Sequence, residues 1–416
     1  MVLPQSHRRN FRRVTAPQKF RAACYTVEGI NSFATVIYFN YLYFFFRDQF
    51  GFNDRENLEL AAFIGLIYVF ASWQAGKFAQ RCGYFNALKI GFGLMAGGLT
   101  VGSQLHSVAG QIAVACVVNV GMCFIWPVLE ALVSEGANAA RAVGIYNITW
   151  AVSNAAAFFI GGTLIQNFSY QTIFYLPLAF MLLQFAMVFW LEKIHPKSSG
   201  TGVSPVQSLR KDNSKPAVQL DRQDARPTTN AVAKNFQRMA WLANPFAYVA
   251  INTLIAVLPG IAAKFNLTTS MAGFVCSLWC FARVFAFVTL WRWSGWHYRF
   301  RWLVGAFALL IVSFALILVV PDLAVVLIAQ LFFGAAIGLI YYSSLFYAMD
   351  AHDASSEHGG IHEAAIGIGN CLGPAAGAAA LWLAPQSASV GAWAVSGLLT
   401  LGLGGLIWLR QHPANR

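Results

Sequence analysis

Five ionisable side chains stand inside otherwise apolar stretches of this 416-residue sequence: Glu28, Glu130, Arg283, His362 and Glu363. A charge in an apolar span costs about 3 kcal/mol on insertion scales, so such groups face a partner or a watery cavity. Arg283, with Trp279 one turn before it, has no carboxylate on its own stretch. Its partner would be Glu363, Glu130 or Glu28, or it could clamp an anionic solute in bidentate fashion. Glu363 beside His362 is the pair best suited to gain and lose a proton, unless both lie at the entrance beside the polar loop 350–358. Glu28 shares a helical face with Asn31 and Thr35 and suits proton or solute binding, or a carboxylate at the membrane edge near Arg21. Glu130 follows Trp126 and Pro127, where proline frees a carbonyl and bends a helix; a binding site or a gate salt bridge fits it. Asn147, Trp150 and Asn154 fall at i, i+3 and i+7, one stripe of amide and indole. Such a stripe can hydrogen-bond a hydroxyl- or amide-bearing solute, or a neighbouring helix. Asn370 adds a further amide.

These residues need helices to hold them. The chain is 58% hydrophobic and 11% charged, with 35 Gly and a mean hydropathy of +0.56, against about 25% charge in a soluble protein. Twelve apolar segments follow one another: 24–46, 57–79, 86–105, 108–134, 141–166 and 171–192, then 241–263, 270–291, 301–320, 322–348, 359–384 and 388–409. About 20 helical residues cross a hydrocarbon core, and backbone groups at that depth must bond within their own segment. The expected fold is an all-α membrane protein with twelve transmembrane helices in two pseudo-symmetric six-helix bundles. Continuous apolar runs argue against a barrel of alternating strands.

Between the bundles, residues 193–238 carry nine Lys or Arg, three Asp and four Pro with no apolar run. So polar a stretch cannot bury enough surface to offset its ordering entropy, and it reads as a flexible or partly helical cytoplasmic linker. It leaves an N-terminal half over 1–192 and a C-terminal half over 239–416. With the N-terminus inside, 24 Lys and Arg fall on the cytoplasmic side and three outside; that asymmetry places both termini in the cytoplasm and explains the net charge of +12 without nucleic acid. An integral protein of the plasma (inner) membrane, monomeric in the lipid bilayer, is expected, and the basic N-terminal stretch does not read as a cleavable signal. The halves also repeat: at an offset of 216, Gly144, Ile145, Asn154 and Gly161 match Gly360, Ile361, Asn370 and Gly377, while Tyr146 and Asn147 match His362 and Glu363. Parallel repeats place a substrate site between them at the midplane.

The loop after the second apolar segment reads Gly76-Lys77-Phe78-Ala79-Gln80-Arg81-Cys82-Gly83-Tyr84-Phe85. With the two six-segment halves and the linker, it resembles the major facilitator superfamily, whose corresponding loop is roughly G-x-x-x-D-R-x-G-R-[RK]. Gly76, Arg81 and Gly83 match in place. Gln80 stands where the family has Asp, and Tyr84-Phe85 where it has a basic pair, a departure from the charge interaction that this loop makes in the family. The family's fourth-helix Arg motif has no counterpart here. The resemblance implies alternating access, two rigid halves rocking about a central cavity, usually driven by a solute or proton gradient.

Other classes are disfavoured. The seven cysteines, at 24, 82, 116, 123, 276, 280 and 371, form neither a disulfide framework nor a zinc pattern. No metalloprotease motif, nucleophile elbow or phosphate-binding loop with Lys-Ser/Thr is present, so no cofactor, no metal, no catalytic residues and no enzyme activity are expected. The expected partners are a small-molecule substrate and protons. A transporter-like sensor, or a lipid or drug exporter of the same fold, is the alternative.

Overall fold

The computed structural model describes residues 16–134, 139–196, 230–350, 356–387 and 389–411. Most of the expected linker, 197–229, lies outside the described residues, as do most of the basic N-terminal stretch and residues 351–355 of the loop 350–358. All described regular structure is helical. The first half comprises α1 (Ala16–Phe50), α2 (Asp54–Cys82), α3 (Tyr84–Gly102), α4 (Val108–Cys123), α5 (Trp126–Ser134), α6 (Ala139–Phe168) and α7 (Thr172–Ile194). The second comprises α8 (Asn230–Lys264), α9 (Thr269–Cys276), α10 (Leu278–Arg292), α11 (Phe300–Val319), α12 (Leu323–Asp350), α13 (Ser356–Leu383) and α14 (Val390–Gln411).

Among the described residues, ten segments are long and apolar enough to cross a membrane. α1 and α3 stand at the first and third places of the expected twelve. Their hydropathy is lowered by Glu28, Asn31 and Asn40 in one, and by Asn86 and Lys89 in the other. Two expected single spans are broken. α4 gives way to α5 because Pro127 has no N–H to continue the ladder; Phe124 and Ile125 bond instead to carbonyls three residues back, and proline fits the first turn of α5. α9 and α10 part at Ser277, again with a three-residue bond from Cys280 N–H to the Ser277 carbonyl. Residues 230–238, assigned from sequence to the linker, are the start of α8, since Ala231, Ala233 and Lys234 favour helix and no breaker intervenes. α2 opens on a reciprocal cap: the Glu56 N–H donates to Asn53 Oδ1 at 3.1 Å, and the Asn53 N–H to Glu56 Oε2 at 2.8 Å.

Two seams join the halves, α2 against α13 and α6 against α9 and α10. Large apolar side chains such as Phe285 and Leu401, each 74% exposed, lie on the perimeter, where lipid replaces water as the contacting medium. Both seams surround a central space, and that space holds most of the charges singled out from sequence.

Candidate functional site

The central cavity measures about 190 Å³ and is lined by both halves. Part of the lining is acidic. Glu28 of α1 is 1% exposed; the Ser32 hydroxyl donates to its Oε1 at 2.7 Å, and its Oε2 has no hydrogen-bond partner among the described residues. Glu130 of α5 and Glu363 of α13 line the same space, and the three carboxylates lie within each other's electrostatic reach. Glu363 accepts a 2.5 Å hydrogen bond from the Tyr68 hydroxyl. Tyr68 is on α2, so this bond crosses the seam between the halves.

The same lining carries Arg283 of α10, 4% exposed. Its guanidinium lies 4.5 Å from the Trp150 ring centroid and 5.0 Å from that of Trp279, cation–π contacts with one indole from each half. Sequence spacing suggested a carboxylate partner on another helix. Among the described residues Arg283 makes no ion pair, and its Nε is buried without a hydrogen bond. Tyr248 and Tyr341 also lie in the lining, each within electrostatic reach of Arg283 and of Glu130 and Glu363. α10 is held from behind by α12, where a Cβ on Gly334 would overlap the Trp279 carbonyl; only glycine permits so close an approach.

Amides complete the lining. Asn252 Nδ2 donates to Asn370 Oδ1 at 2.5 Å. With its amide turned so that the nitrogen donates, Asn154 reaches the Trp150 and Ser32 carbonyls, each at 3.3 Å. The stripe on α6 divides. Trp150 and Asn154 face the cavity, whereas Asn147 accepts from Trp150 Nε1 at 2.9 Å and lines a separate cleft of about 330 Å³ with Arg141, Leu290, Arg292 and Tyr342.

Two further candidates stand apart from the lining. Asn31 is fully buried, with both amide atoms unpartnered among the described residues. His362 packs beside Trp241, ring centroids 6.2 Å apart. In the loop motif, Gly76 is buried within α2, Arg81 is exposed at its end, and Gly83 terminates it at φ 92° with its N–H on the Ala79 carbonyl. Among the described residues no cluster of His, Cys, Asp or Glu could hold a metal ion.

Sequence reasoning overlooked Tyr68 and Asn252. Neither is ionisable in the usual range, and the partner of Tyr68 is 295 residues away. The only trace in the sequence was the position of Tyr68 three residues after Gly65 on the helix face that meets α13.

No curated protein matches the chain. Among solved structures, the nucleoside transporter NupG superposes with a TM-score of 0.68 at 11% identity, covering 94% of this chain and 99% of that one. A bacterial homologue of the human lysosomal transporter Spinster, inward-facing and unoccupied, gives 0.66 at 12% identity over 95% of each chain. The human organic anion transporter MFSD10 (TETRAN) gives 0.60 at 15% identity, over 94% and 99%. At these identities the likeness is one of fold. The sequence profile of the Major Facilitator Superfamily matches residues 22–378, nearly the whole arrangement of helices around the cavity, and the chain belongs to that family of membrane transporters.

Proposed function

We propose that the chain is a secondary active transporter carrying a small solute by alternating access. Two halves, 1–192 and 239–416 joined by 193–238, rock about the central cavity, and protons drive the cycle through Glu28, Glu130 and Glu363. One observation carries this reading: a single cavity is lined by both halves and holds three carboxylates and an arginine that, among the described residues, has no ion partner. A site shared between two bodies changes shape whenever they move, which is what alternating access requires. Intramembrane acids around a solute cavity supply the groups that proton coupling needs.

The fold does not select the solute. One neighbour is named for nucleosides and another for organic anions. In this reading the protein is a monomer in the plasma (inner) membrane with both termini cytoplasmic, the side that receives 24 Lys and Arg against three.

Proteoliposomes loaded with a pH-sensitive dye test the proposal. The panel is sugars, nucleosides, carboxylates, amino acids and amphipathic cations. A carried solute should change the internal pH, and Glu363→Gln should abolish the dye response while exchange of labelled solute continues. Exchange with no dye response in the unaltered protein would remove protons from the reading. No exchange with any solute would favour the sensor role.

A further inference from the structure

We propose that the solute is an organic monocarboxylate with a ring-sized apolar body, its carboxylate seated on the Arg283 guanidinium and its body against Trp150 and Trp279. The inference rests on the transporter reading only in calling this ligand the substrate; the binding site is argued from the cavity itself.

Arg283 is the single Lys, Arg or His among the described residues that line the cavity. A buried cation without a counter-charge is costly, and the cost is relieved when an anion joins it. Among the described residues none supplies that anion: Glu28, Glu130 and Glu363 line the same cavity and make no ion pair with Arg283. The indoles stack over the guanidinium, which leaves its N–H edge to hydrogen-bond, the fork that matches a carboxylate. A second unspent donor is close by. The Trp279 Nε1 is buried and unpartnered among the described residues, one helical turn before Arg283.

The same geometry limits the charge to one. A second anionic group would share the cavity with Glu28, Glu130 and Glu363 and is repelled by each of them that is ionised. It also favours a flat body, because Trp150, Trp279, Tyr248 and Tyr341 border the space nearest Arg283 and aromatic faces pack well against rings.

The test is binding to the purified full-length protein, read by thermal shift and by quenching of tryptophan fluorescence. The probes are benzoate, phenylacetate and 3-phenylpropionate. Benzyl alcohol, phthalate, benzylamine and phenylalanine serve as comparisons. At least one monocarboxylate should bind, with phthalate about tenfold weaker or more and benzyl alcohol weaker still. Arg283→Gln should weaken that binding about 10- to 100-fold, the range expected for losing a charge-assisted hydrogen bond. Arg283→Lys, which keeps the charge but not the fork, should lose less and shows that the site remains folded. Lys89→Met, at an ion pair away from the cavity, should leave binding in place. The proposal is overturned if no monocarboxylate binds, if Arg283→Gln and Arg283→Lys both bind as the unaltered protein does, or if benzylamine binds more tightly than benzoate. Phenylalanine binding more tightly than 3-phenylpropionate would also overturn it, in favour of a zwitterion. A carboxylate that binds but is never moved across a vesicle would keep the site and reject the transporter reading. A different solute, carried equally by Arg283→Gln, would do the reverse.

Discussion

The seam between α6 and the α9–α10 pair is built differently at its two ends. At the face opposite the chain termini, backbone meets backbone. A Cβ on Gly162 would overlap the Thr269 carbonyl, the Thr163 and Ser270 hydroxyls lie 2.7 Å apart, and the Ser270 N–H donates to Gln166 Oε1 at 3.1 Å. At the terminal face the two helices flank the cleft containing Arg141, Gly144 and Asn147. Between cleft and cavity stand three rings in mutual contact: Trp150 with Tyr341 at 5.3 Å, Trp150 with Phe287 at 5.9 Å, and Phe287 with Tyr341 at 5.8 Å. One end therefore closes through main chain, which cannot yield without moving a helix. The other closes through side chains, which can change rotamer while the helices stay in place. Past the cavity, the seam is held by close helix contact towards one face and by an aromatic cluster towards the other.

The largest effect should come from the partition. Phe287 is fully buried, so Phe287→Ala should destabilise the fold by about 3–5 kcal/mol. It should also admit reagent from the cleft to the cavity. Cys280 lines that cavity and is buried. Its modification by a small maleimide, located by mass spectrometry, should accelerate in the variant; an unchanged rate would mean that the rings do not divide the two spaces.

Tyr68→Phe comes next. It removes the donor to Glu363 across the other seam, between α2 and α13, where a Cβ on Gly65 would lie 2.6 Å from the Asn370 main chain. A hydrogen bond to a carboxylate contributes about 1.5–3 kcal/mol, so thermal stability should fall. Glu363→Gln keeps an acceptor for the Tyr68 hydroxyl and should cost less. Equal losses would show that the bond does not hold the seam.

Gly162→Ala should cost about 1–3 kcal/mol through overpacking, expressed as parting of the seam at the face opposite the termini. A cysteine at Thr163 should then label faster with a membrane-impermeant reagent. Gly144 lies on the same helix beside the cleft, with open space where its Cβ would be. Gly144→Ala should leave that labelling unchanged. If both substitutions act alike, the contrast between the two ends of the seam fails.

The spans were legible because apolar runs of about 20 residues have few alternatives in a bilayer. The helix breaks were not, since nothing at Ser277 announces a turn as Pro127 does. The charged lining was legible for a related reason: Glu28, Glu130, Arg283 and Glu363 stand out in apolar surroundings, and all four line the cavity. Their immediate neighbours were harder to place. Successive residues on a helix point about 100° apart, and here His362 and Glu363 diverge. His362 turns to Trp241 while Glu363 meets Tyr68. Asn31 leaves the lining although it lies three residues from Glu28, and Asn147 supports Trp150 from the cleft side. Which of three amides on one stripe faces solute is a matter of a few tens of degrees of helix rotation, and helix rotation is set by packing against other helices. The absence of an ion partner for Arg283 among the described residues was likewise hidden, because it depends on distances between helices far apart in sequence.

The smallest expected effect is also the control on the comparison. Lys89 Nζ lies 2.8 Å from Glu192 Oε2, joining α3 to α7 within the first half, with the two side chains 24% and 46% exposed. The ammonium also lies 4.9 Å from the Phe189 ring centroid. Exposed ion pairs are worth about 0–1 kcal/mol, and salt screens them. The pair touches neither seam. Lys89→Met keeps most of the apolar stem against Phe189 and removes the charge, so stability should shift by less than about 1 kcal/mol. The labelling rates at Cys280 and at a cysteine in place of Thr163 should not change. Faster labelling at either site would mean that strain within one half reaches the seam, and the two ends could no longer be treated as independent closures. An unchanged pair of rates, beside the large response to Phe287→Ala, would assign control of the cavity to contacts between the halves.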